Sequence, residues 1–88
     1  MKTYKYSYNI EKNADNKSFL CACNEIEELC IAGLEKKKML IDVDGSLIQI
    51  YRVPNGEIVV YNDYEVDAVY ADSDVDLSAL FTPASFSE

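Results

Sequence analysis

The sequence predicts an α+β domain: a small antiparallel sheet with one helix packed on one face, in the order β-β-α-β-β-β with a sixth strand following. Three observations predict it. Apolar and polar residues alternate with period two over 4–11 and again from Met39 onward, the pattern of half-buried strands. Two turn signals, Asp44-Gly45 and Pro54-Asn55-Gly56, punctuate the second stretch. Between the two stretches lies an apolar stripe with helical spacing and opposite charges at its ends.

The elements follow in order. Tyr4, Tyr6, Tyr8 and Ile10 alternate with Lys5, Ser7, Asn9 and Glu11, giving a first strand, and Asn13-Ala14-Asp15-Asn16 is turn chemistry. Ser18 to Cys23 reads as a second strand with Phe19, Cys21 and Cys23 on one face. Phe19, Ala22, Cys23 and Ile26 also fit a 3.6-residue period, as the start of a longer helix. The strand is preferred because the helix-end signals come later.

Asn24 with Glu27 three residues on is an N-cap pattern, and Glu25, Glu27 and Glu28 precede Lys36, Lys37 and Lys38, matching the helix dipole at both ends. Ile26, Leu29, Cys30, Gly33 and Leu34 then form one stripe of a helix over 25–37.

From Met39, a hairpin closes with a two-residue loop at 44–45, and a second closes with a three-residue loop and bulge at 54–56. This register places Met39, Ile41, Val43, Ile48, Ile50, Ile58 and Val60 on one face, toward the helix. Leu40, Leu47, Gln49, Tyr51, Val53, Val59 and Tyr61 fall on the other. A last strand covers 64–70, and Leu77 to Phe81 reads as one helical turn. A single domain over 1–81 is expected, followed by a frayed tail over 82–88. At 88 residues there is room for one modest core.

Charge is distributed unevenly. Residues 1–52 carry eight acids and all eight bases, which cancel. Residues 53–88 carry the other eight acids and no base, so the net charge of −8 sits in the last 36 residues. Such a field repels nucleic acid and anionic membranes and attracts basic protein surfaces; it also keeps a protein soluble. No apolar run is long enough to span a bilayer, and the charged, alternating start is unlike a signal peptide.

The chain has no His and three cysteines, Cys21, Cys23 and Cys30, too few ligands for a closed zinc site. They are expected as buried, reduced thiols in the cytoplasm, that of a bacterial host if the gene is a phage's. No metal and no cofactor are expected.

Met39-Leu40-Ile41-Asp42-Val43-Asp44-Gly45-Ser46 resembles the first motif of the haloacid-dehalogenase-like phosphatases, which implies Asp42 as nucleophile, Asp44 as acid/base and magnesium nearby. That family also needs a later Ser or Thr, a Lys and an acidic pair on a parallel sheet. After Ser46 the chain has 42 residues and no Lys, and the reading is rejected in favour of a non-enzymatic protein. Asp72, Asp74 and Asp76 begin like a calcium loop, but Leu77 and Pro83 stand where Gly and Glu belong.

In an extended chain, alternate side chains lie about 7 Å apart, a spacing comparable with nucleic-acid phosphates. Asp63, Glu65 and Asp67 form one such row and Asp72, Asp74 and Asp76 another, with Tyr61, Tyr64 and Tyr70 as aromatic anchors. The expected function is a small acidic protein that inhibits a basic, nucleic-acid-handling partner by mimicking nucleic acid, binding neither nucleic acid nor membrane itself. In size and charge the chain resembles phage anti-restriction and anti-CRISPR proteins. An immunity protein or antitoxin against a basic nuclease shares the same physics. The rival is a module that forms a homodimer through Leu47, Tyr51, Val59 and Tyr61.

Overall fold

A computed structural model describes residues 3–84. Its elements are β1 (Tyr6–Glu11), α1 (Asn16–Glu28), β2 (Glu35–Lys36), β3 (Leu40–Ile41), β4 (Leu47–Val53), β5 (Gly56–Asp63), β6 (Ala68–Ser73) and β7 (Thr82–Pro83). Among the described residues, seven strands form one antiparallel sheet ordered β2-β4-β5-β6-β1-β7, with β3 also paired to β4. The single helix packs on one face of that sheet, and the class is α+β as expected. The order is not: the helix follows the first strand directly.

Residues 18–23 are helical, and the stripe of Phe19, Ala22, Cys23 and Ile26 is the buried face of α1. The cap is Asp15 rather than Asn24. With extended backbone, its carboxylate accepts from the Ser18 N–H at 3.1 Å and the Ser18 hydroxyl at 2.6 Å, satisfying the first turn. The helix stops at Glu28 because Leu29 and Cys30 close the last turn and Cys30 adopts φ +54°. Residues 30–37 therefore leave the helix and run into edge strand β2. Glu25, Glu27 and Glu28 sit at the helix's negative end, where the dipole disfavours them. Glu27 is held there by the Tyr51 hydroxyl at 2.6 Å and by Lys36 at 3.0 Å.

The two hairpin connections have exchanged types relative to expectation. Pro54-Asn55 is a two-residue loop, with Val53 opposite Gly56. The first hairpin instead has a three-residue loop: Gly45, at φ +89°, donates to the Asp42 carbonyl, and Asp42 donates to Ser46. Each register moves by one residue, and a one-residue slip turns a strand's side chains to the other face. Ile50 is therefore opposite Val59 rather than Val60, and Leu40 rather than Ile41 is opposite Ile48.

The face covered by α1 carries Tyr51, Val53, Ile58, Val60, Val69 and Ala71, all buried. Leu77 and Phe81 complete this core from the C-terminal segment, where residues 77–81 form a single turn. The Tyr8 hydroxyl accepts the Leu77 N–H at 2.7 Å, fixing that segment over β1. Fully burying a side chain such as Phe19 or Ile26 contributes about 1.5–3 kcal/mol.

Three buried polar side chains mark joints in this layer. Gln49 donates to the Lys37 carbonyl at 2.6 Å, sealing the gap where the edge passes from β2 to β3. Asn62 accepts from the Asp15 N–H and donates to Asn16, tying the start of α1 to β5. Ser73 bonds both ways with Val75 as the chain leaves β6.

The expected strand over 64–70 begins only at Ala68, since 64–67 is a turn with Asp67 at φ +57°. Thr82 and Pro83, expected within a frayed tail, pair with β1. Residues 85–88 of that tail lie outside the described residues. No helix among the described residues is long and apolar enough to cross a membrane.

Candidate functional site: an open face of acids and stacked tyrosines

Among the described residues, no helix lies over the second sheet face. Cross-strand pairing assembles it from Ile48, Ile50 and Arg52 of β4, Glu57, Val59, Tyr61 and Asp63 of β5, and Tyr70 and Asp72 of β6. The acid-only stretch of sequence supplies β5 and β6, which lie in the interior of the strand order. Lys36 lies on edge strand β2, and Lys5 and Lys12 flank β1. A segregation along the chain thus becomes an acidic stripe down the middle of the face.

Tyr61 and Tyr70 are direct cross-strand partners. Their rings stack with centroids 4.6 Å apart and planes inclined by 19°, so each ring turns one face to the other across the two strands. The Tyr70 hydroxyl donates to Asp63 at 2.9 Å. Burial raises both phenol pKa values; next come Asp63 for Tyr70, and Asp72 and Glu57 for Tyr61. Tyr4 donates to Glu57 at 2.9 Å, so the segment preceding β1 reaches this face too. Val59 is buried here although no helix covers it.

The anticipated site residues disperse. Asp63 and Asp72 are on the open face with Tyr61 and Tyr70. Glu65 and Asp67 belong to the β5–β6 turn. Asp67 points to the start of α1, accepting from Ala14 N–H at 2.8 Å and Asn13 at 2.9 Å, which hold its pKa below the usual carboxylate value.

Asp74 accepts the Glu57 N–H and lies against Gly56. Asp76 is on the helix side, beside Tyr8, where the Ser78 N–H lowers its pKa. The two rows at phosphate spacing therefore do not form: each needs five extended residues, and 64–67 is a turn while β6 ends at Ser73. Tyr64 lies outside the face, its hydroxyl donating to Asn16 at 3.0 Å.

The expected self-association face also divides. Val59 and Tyr61 are on the open face, whereas Leu47 and fully buried Tyr51 face α1, a consequence of the register. Glu57, Ile48 and Ile50 were not anticipated on the acidic face. The signal was present in the alternation of β5 itself, where Glu57, Val59, Tyr61 and Asp63 share one parity.

At the end of the face, a cleft of about 140 Å³ is lined by Asp42, Asp44, Tyr61, Asp63, Glu65 and Tyr70. Asp42 and Asp44 are turn-forming carboxylates: Asp42 accepts the Val43 N–H and Asp44 the Ser46 N–H, and the latter contact lowers the Asp44 pKa. They follow a two-residue antiparallel edge strand rather than a parallel central one. Among the described residues, no three carboxylates or thiols come together in a way that could hold a metal ion.

Fold and face together define a small α+β domain whose free sheet surface combines aromatic, aliphatic and acidic side chains. No protein-family model, curated protein or solved structure matches the chain.

Proposed function

We propose that this chain is a small, non-enzymatic binding protein that docks its open sheet face on a basic, nucleic-acid-handling protein and blocks that protein's Lys/Arg surface. The observation that carries the reading is the Tyr61–Tyr70 stack with Glu57, Asp63 and Asp72 around it. Flat tyrosine faces accept guanidinium or ammonium groups. Carboxylates beside them complement the charge and accelerate encounter, and Tyr is enriched among residues that dominate binding energy. The partner's basic groove is filled by this compact patch rather than by carboxylates repeated at phosphate spacing. A phage-type inhibitor and an immunity protein or antitoxin against a nuclease would use the same surface.

The test is capture from a bacterial lysate on immobilised protein, eluted with a salt gradient. A nucleic-acid-binding protein that elutes as salt rises, is released by duplex DNA and is lost with Asp63→Asn/Asp72→Asn supports the reading. Retention of nothing at low salt, or equal retention by that variant, overturns it.

Half-buried Ile48 and Ile50 beside Tyr61 favour a second reading, in which two copies pair through the same face. Sedimentation equilibrium separates the two, because a dimer that resists salt and is broken by Tyr61→Ser belongs only to the second.

A further inference from the structure

The β3–β4 and β5–β6 connections lie at the same end of the sheet, because β4 starts where antiparallel β5 finishes. Their centres are about 10 Å apart, two strand spacings. They are joined: the Tyr64 N–H donates to the Ser46 hydroxyl at 2.9 Å, and the Tyr64 ring lies against Gly45. Asp63 accepts the N–H groups of Glu65 and Val66, as Asp42 and Asp44 do in the other tip. The backbone of both tips is thus defined by hydrogen bonds.

Both tips display apolar side chains that the fold does not use. Val43 is fully exposed, Ile41 is 72% exposed and Val66 is 62% exposed. Turn positions ordinarily carry polar residues or glycine, and large aliphatics exposed on two adjoining turns offer apolar contact area that the fold leaves unburied.

We infer that the paired tips are a docking surface for a basic amphipathic segment of a protein, one that carries Lys or Arg beside large aliphatic side chains. The aliphatics make the case for contact, and the charge selects the occupant. Residues 40–46 and 63–67 contain five carboxylates and no base. A purely apolar partner would leave these carboxylates desolvated and unpaired, and an anionic membrane would be repelled. Ile41, Val43 and Val66 would meet the partner's aliphatics while its cations reach the carboxylates between them. The inference rests on the basic-partner reading above and extends it to a second contact region.

The experiment is a titration of ¹⁵N-labelled protein with a synthetic helical Lys/Leu peptide, followed residue by residue by NMR and repeated with Val43→Ser/Val66→Ser. Both side chains are exposed, so the variant keeps the fold, and its spectrum verifies this. The expected result is shifts centred on 41–46 and 64–67, with affinity about ten-fold weaker or more in the variant, about 1.4 kcal/mol or more. Shifts confined to Tyr61, Tyr70 and Asp72 overturn the tip inference and leave the open-face reading standing. No shifts anywhere overturn both. Tip shifts that appear on self-concentration, or with anionic vesicles and not with the peptide, assign the surface to a second copy or to lipid and overturn it as stated.

Discussion

Tyr61 and Tyr70 stand opposite each other on β5 and β6 with rings 4.6 Å apart, and the Tyr70 hydroxyl is tethered to Asp63 two residues beyond Tyr61. The arrangement makes one platform of three side chains on the sheet face opposite α1, beside the Tyr4 segment that reaches Glu57. Its rigidity matters for binding, because side chains already held in place lose less entropy when a partner arrives.

Tyr61→Ala should therefore weaken binding to the proposed basic partner by about 2 kcal/mol or more, the scale of a hot-spot residue, while leaving the fold intact. Tyr70→Phe should cost less, since it releases Asp63 but keeps the stack. Calorimetric titration of each variant checks the ranking, and equal losses would show that the hydroxyl rather than the platform matters.

Across the sheet from this platform, the Tyr51 hydroxyl donates to Glu27 from a fully buried ring. Tyr51→Phe should destabilise the protein by about 1–3 kcal/mol, the usual cost of a lost bond to a charged or desolvated group. Urea denaturation measures it. Glu27→Gln retains an acceptor and should cost less.

Gly56→Ala should be more damaging than its size suggests. The residue has φ +153°, and an added methyl would collide with the Asp74 carboxylate that accepts the Glu57 N–H. Backbone strain of this kind costs about 1–3 kcal/mol, so the melting temperature should fall. If it does not, Asp74 is free to swing aside.

Stability should decline at both ends of the pH scale. Asp15, Asp67 and Asp76 have pKa values lowered by hydrogen bonds from Ser18, Ala14 and Ser78 respectively. Lowered carboxylate values stabilise the fold above the unfolded pKa, about 3.9, and that contribution is lost as pH falls through the folded values.

Tyr51 and Tyr70 are shifted upward, first by burial and then by Glu27 and Asp63. A raised tyrosine value stabilises fully below the unfolded pKa of about 10 and loses that contribution as pH rises beyond it. With no His in the chain, stability should vary little from the acid window up to about pH 8.5, where the contribution of Cys23, its thiol pKa also raised by burial, begins to be lost. Thermal melts across pH, with tyrosinate absorbance followed at the alkaline end, test both signs.

How much of this was legible varied by element. The strand at Tyr6–Glu11 was readable from its period-two alternation, although Tyr8 is the one residue it fully buries and its pairing with β6 shifts register between Asn9 and Glu11. The helix was misplaced because two segments shared its signals. Phe19, Ala22, Cys23 and Ile26 held the periodicity, while Glu25 to Glu28 and the later lysines held charges that mimic a helix of their own. Burial decided in favour of the first. For the candidate site, the acids and tyrosines were identifiable as residue types, but Asp67, Asp74 and Asp76 proved to secure the α1 start, the Gly56 turn and the Tyr8 contact.

The sequence by itself determined the α+β class, the positions of both hairpins after Met39 and the concentration of acid in the last 36 residues. These depend on local periodicity, turn chemistry and composition. Only the tertiary structure decided which face of β4 meets the helix: the expected side of β5, with Ile58 and Val60, does face it, but Tyr51 and Val53 join it there from β4 in place of Ile48 and Ile50. Two adjacent turns can each close with two or three loop residues, and both faces of these strands carry enough apolar side chains to be buried. The choice rested on contacts far apart in sequence: Tyr51 with Glu27, Gln49 with Lys37 and Asn62 with Asn16. Those contacts turned Tyr51 inward and left Tyr61, Tyr70 and their carboxylates facing out.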